Sequence, residues 1–87
     1  MLPQLLRARG LLLSRQGDLP GALTALHESA GVAREQQALL QLGATLAALS
    51  EVARTADDQI TAREADIERR AIVERIGPEV RILSWAR

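Results

Sequence analysis

The chain has 87 residues, with eleven acidic and eleven basic side chains, no Cys, one His and a single aromatic residue, Trp85. One domain is the ceiling at this length, and a domain so short buries only about 60% of the surface its unfolded chain exposes. The charge balance excludes an electrostatic footprint for nucleic acid or an anionic membrane, and the missing thiols exclude disulfides and thiolate metal sites.

Leu and Ala, fifteen of each, must build the core, and both are strong helix formers. The first predicted helix begins near Pro3, which a first turn tolerates, and carries Leu2, Leu5, Leu6, Leu12 and Leu13 with Gly10 among them. It stops at Gly17, the residue type that accepts the positive φ of a helix C-terminus. Asp18 then reads as an N-cap and Pro20 as a first-turn residue of the second helix. That helix places Leu19, Ala22, Leu23, Leu26, Ala30 and Ala33 at steps of three and four, along one face. No Pro or Gly marks its end, and a short break is placed near residues 35–37.

The third helix runs from about Gln37 to Thr55 and is apolar on more than one side: Leu39, Leu40, Leu42, Leu46, Leu49 and Val52. Such a helix belongs between neighbours, at the centre of the molecule. Asp57 or Asp58 caps the fourth, which ends at Gly77-Pro78. Ile60, Ile67, Ile72, Val73 and Ile76 give it an apolar side, while Arg63, Glu64, Asp66, Glu68, Arg69 and Arg70 mark a wet one. The tail, residues 79–87, fits neither period. Its Trp85 either packs back on the helices or anchors a partner, a role in which Trp is enriched. The expectation is one all-α domain over residues 1–78, two antiparallel hairpins at 3–36 and 37–77, and the tail.

An internal repeat lies within this pattern. Leu6, Gly10 and Leu13 recur as Leu39, Gly43 and Leu46, each 33 residues on. A mid-helix Gly is costly, so its recurrence points to close approach of a partner helix. In the first unit Gly10, Leu13, Gly17, Ala22 and Leu26 follow in order. This spacing resembles the tetratricopeptide repeat, a 34-residue helix–turn–helix unit. Leu13 and Leu26 stand where that family usually has aromatics, Ser29 where it has a second Ala, and Arg34 where it has a closing Pro. The second unit diverges: the counterpart of Ala22 falls at Ala62, 40 residues on, seven more than the first offset, so the third helix is read as a lengthened first helix of a repeat. The texture is also similar to repeat-rich C-terminal regions of actinobacterial LuxR-type regulators.

Catalytic patterns are weak. His27, Glu28 and Ser29 are consecutive on a helix, so they point in different directions and cannot form one site. Asp57 and Asp58 suit a helix start, Glu64 and Glu68 suit ion pairs, and Arg69-Arg70 suits a solvated face. Gly17-Asp18-Leu19-Pro20-Gly21 has neither the spacing nor the Lys of a phosphate loop. The chain is therefore expected to be no enzyme and to use no cofactor, metal or small-molecule substrate. No apolar run approaches the roughly 20 residues that span a bilayer, and no leader precedes the first helix, so a cytoplasmic location is expected.

What the resemblance implies is protein binding. Stacked repeats usually need three units to cover their faces, and this chain has about two. A homo-oligomer or a complex with a larger protein is expected, with the Leu-rich first and third helices lining the contact. The alternative expectation is a regulatory or sensory fragment of a transcriptional regulator or cyclase-type signalling protein.

Overall fold

In a computed structural model, residues 2–76 are described. Trp85, the tail and Gly77-Pro78 lie outside them. Four helices follow one another: α1 (Pro3–Arg15), α2 (Leu19–Glu35), α3 (Leu39–Thr55) and α4 (Gln59–Ile76). There is no strand among the described residues, and none of their helices is long and apolar enough to cross a membrane. The fold is all-α, with α1–α2 and α3–α4 as two helix hairpins. Each helix packs on the next, and α3 also touches α1, so α3 meets all three others.

The three connections are the same turn built three times. Gly17, Gln37 and Asp57 each take the left-handed conformation, with φ of 86°, 54° and 59°. In each the following amide bonds back five residues: Asp18 N–H to Leu13 O at 2.9 Å, Ala38 to Ala33 at 2.9 Å, and Asp58 to Ala53 at 2.8 Å. These are Schellman closures, which satisfy carbonyls the helix leaves open. Only the first uses the Gly that the conformation favours. At the other two a Cβ is carried at a cost of roughly 1–2 kcal/mol. The break between α2 and α3 occupies residues 36–38, where no breaker residue announces it. Asp18 and Asp58 cap alike, each Oδ1 accepting from the amide three residues on, Gly21 at 3.0 Å and Thr61 at 3.2 Å. Ala38, between them, offers no side-chain cap.

Because Gly17, Gln37 and Asp57 are twenty residues apart, the hairpins repeat at forty residues. This corrects the 33-residue offset. At forty, Leu6 matches Leu46, Ala22 matches Ala62 and Ala25 matches Ala65, all six buried. Gly10 then matches Ser50 rather than Gly43. The structure treats the two glycines differently. A Cβ at Gly10 would meet Leu26 Cγ at 2.8 Å and the Ala22 carbonyl at 3.2 Å, whereas at Gly43 the nearest atom would be Ile72 Cγ2 at 3.8 Å. Only Gly10 answers to a close helix approach. The lengthening of α3 is also smaller than the expected seven residues: it has 17 residues against 13 in α1, about one turn.

The core explains the Ala content. The side of α2 that meets its neighbours carries Ala22, Ala25, Ala30, Ala33 and Ser29, all buried, so helices can come close on both flanks of α2. Leu26, Leu42, Leu46, Leu49, Val52 and Ile72 fill what remains. On α4 the inward residues are Ala62, Ala65 and Ile72, while Ile60 and Ile67 face outward at 74% and 60% exposure.

Candidate interaction surface

Two Leu-rich helices were candidates for a contact surface, and burial separates them. Helix α3 turns Leu42, Leu46 and Leu49 inward and leaves only Leu40 of its leucines largely exposed. Helix α1 buries Leu6 and half-buries Leu13, but leaves Leu5, Leu11 and Leu12 exposed, two of the three by more than half, and Leu2 is exposed just ahead of it. At 100° per residue, Leu5, Ala8 and Leu12 form one stripe opposite the buried Leu6 and Gly10. The stripe is rimmed by Arg9 and Arg15, and α1 contains no acid. Beside it, a groove of about 300 Å³ opens between α1 and α2, its walls including Leu6, Leu13 and Ala25 with Arg9 and Glu28 at its edges.

The residues singled out for repeat packing are spread over the fold. Gly10, Ala22 and Leu26 meet at one contact between α1 and α2. Leu46 is buried in α3, and Leu13 is partly buried against the same core. Gly17 serves a turn and is exposed, and Gly43 is only half-buried. Trp85 lies outside the described residues. His27, Glu28 and Ser29 do diverge: the first two are exposed and Ser29 is fully buried.

Ser29 belongs to a polar seam that the sequence pattern did not show. Its hydroxyl donates to the Pro3 carbonyl at 2.7 Å and lies 2.9 Å from Thr45 Oγ1. With its one proton on Pro3, Ser29 accepts from Thr45. Arg7 in turn donates to Thr45 Oγ1 at 3.5 Å and to Gln41 Oε1 at 2.9 Å. The seam crosses α1, α2 and α3, and each buried hydroxyl in it is satisfied. A mid-helix Ser and Thr on an otherwise apolar face were the available signal.

Charge gathers at the other hairpin. Arg34 of α2 donates twice to Glu68 of α4, at 2.9 and 2.6 Å, a fork that holds the Glu68 carboxyl below its ordinary range. Arg54 pairs with Asp66 at 2.5 Å, and Arg69 adds a longer contact at 3.8 Å. The Asp66 carboxyl is likewise lowered, most by the neighbouring hydroxyl of Ser50. Ser50 Oγ is buried without a partner in formed hydrogen-bond geometry, so this is a near contact rather than a closed bond. Asp58 is lowered chiefly by its hydrogen bonds to Thr61. No three His, Asp or Glu side chains among the described residues gather as a metal site would require.

The chain matches no protein-family model, no curated protein and no solved structure.

Proposed function

We propose that this chain is a protein–protein interaction module of stacked helix hairpins, working as an oligomer or bound to a larger protein. The observation that supports this reading is the outer face of α1, where Leu5, Ala8 and Leu12 stand exposed as one stripe on a terminal helix. A contiguous apolar face of this kind marks an interaction site more often than scattered exposed leucines do. The packing of each helix on the next, with α1 also touching α3, is the order a stack of helix hairpins would give. The balanced charge and the solvated ion pairs of α4 favour binding to protein over binding to nucleic acid.

Light scattering tests the proposal on the purified chain over a concentration series, and on the chain recovered from an extract of its source cells. A mass above the 9.4 kDa of one chain is expected in at least one setting. A chain that remains monomeric in both would overturn it.

A further inference from the structure

We infer that the outer face of α1 and the adjoining groove receive a helical hairpin of another polypeptide, seated as α1–α2 sits on α3–α4. This rests on the interaction-module reading and names its surface and the chemistry of its partner.

The forty-residue register carries the inference. Leu2, Leu5 and Leu12, all exposed, match Leu42, Thr45 and Val52, all buried. The stripe left open on α1 is thus the stripe that α3 covers with the preceding hairpin. The grooves correspond in the same way. Leu6, Gly21, Thr24, Ala25 and Glu28 of the open groove match Leu46, Thr61, Glu64, Ala65 and Glu68. In that second groove α2 lies across the opening, adding His27 and Arg34 to the lining and leaving about 90 Å³ instead of about 300 Å³. Glu68 is there held by Arg34. Glu28, its counterpart, makes no ion pair among the described residues. An open apolar stripe, an open groove and an unmatched carboxylate therefore coincide where the neighbouring hairpin shows a helix closing all three.

Charge decides the occupant. Stacked head to tail, a second copy would bring α4 into the place of α2. It would present Arg63, Asp66 and Arg70 where α2 presents Leu23, Leu26 and Ala30, and Glu74 where α2 presents Arg34. That sets three charges against leucines and an acid against Glu28. Stacked head to head, α1 would face α1, a pairing unlike that of α2 on α3, with Arg9 and Arg15 on each side and no acid on either helix. Neither arrangement of copies suits the face. A partner hairpin with a small-residue face like that of α2 does, with an Arg for Glu28. Since Leu5 replaces Thr45 and Arg9 replaces Leu49, it also needs an apolar residue in place of Ser29 and an acid in place of His27.

A tandem chain tests this. Residues 1–43, carrying His27→Glu and Ser29→Ala, are joined ahead of residues 4–87, so that Leu42 and Gly43 stand in place of Leu2 and of Pro3, which a helix interior would not accept, and Gln4 follows Gly43 as Ala44 does. The tandem is expected to melt at a higher temperature than the unmodified chain, with amide exchange in the second α1 slowed by about tenfold or more. Glu28→Arg in the second unit should remove part of that gain, and Arg34→Glu in the added hairpin should restore it. No rise in melting temperature and no added protection would overturn the inference. So would sedimentation of the unmodified chain as a dimer that Leu5→Glu with Leu12→Glu dissolves, because the face would then belong to a second copy. Association untouched by those two substitutions, beside an unprotected tandem, would leave the interaction-module reading standing and remove this one alone.

Discussion

The two hairpins share a backbone and hold it together differently. Both turn on a left-handed residue, both cap the second helix with an Asp, and both bury alanines at matched positions. Yet the first seats Leu26 in the hollow over Gly10, while at the same places the second has Asp66 beside Ser50. One joint is apolar and close-packed. The other is polar, and Arg54 and Arg69 come to it from the surface. A hairpin frame set by turns and small residues thus accepts either solution at its centre, but the two respond to different stresses. Packing answers to volume, and the charged joint answers to pH.

The largest effect is expected at the apolar joint. Leu26→Ala removes a fully buried side chain and should cost about 3 kcal/mol in urea unfolding, within the range seen for buried leucines. Asp66→Ala, its counterpart, should shift the unfolding midpoint far less. Equal shifts would show that the two joints carry equal weight and would erase the contrast. Gly10→Leu should cost roughly 1–3 kcal/mol, since even a Cβ there would press on Leu26. A Gly10→Leu variant as stable as the parent would mean that the close approach of α1 and α2 is not needed.

Acid should sharpen the same contrast. Asp58, Asp66 and Glu68 have folded pKa values below their ordinary ones, so each stabilises the fold fully above its unfolded pKa and loses that contribution as pH falls through the folded value. The window therefore opens below about pH 4. Amide exchange followed from pH 5 downward should show α4 losing protection before α1, and Glu68→Gln should flatten part of the dependence. Simultaneous loss in both hairpins, unchanged by that substitution, would contradict it. The smallest effect is expected at the middle turn. Gln37→Gly removes a Cβ from a left-handed residue and should add about 0.5–1 kcal/mol, read as a higher melting temperature. A lower melting temperature would show that the Gln37 side chain contributes more than its backbone conformation costs.

What could be read from residues alone follows from where the signals are local. Gly17, Asp18 and Pro20 mark the first turn by chemistry that acts within a few residues, and the 3.6-residue period marks each helix. The middle turn has no such marker, because Gln37 adopts a conformation that its type does not advertise. Periodicity also cannot say which of two apolar faces is covered. On α1, Leu5 and Leu12 look as good a core face as Leu6 and Leu13, and only packing shows the first pair outside. The 33-residue match arose because Leu and Gly are common enough here to coincide, whereas the true register rests on three turn residues of three different types. The contact between Ser29 and Thr45 spans 16 residues and two helices, beyond any local pattern.

That seam has a consequence for how the helices choose their alignment. An interface of Ala and Leu is nearly smooth, and sliding α2 by one turn, about 5.4 Å, would exchange one apolar neighbour for another at small cost. Hydroxyls do not slide so freely. Moving Ser29 away from Pro3 and Thr45 would strand buried donors and acceptors, each at a penalty of about 1–3 kcal/mol. The two small polar side chains thus act as an indexing pin, fixing which rung of one ladder stands beside which rung of the next.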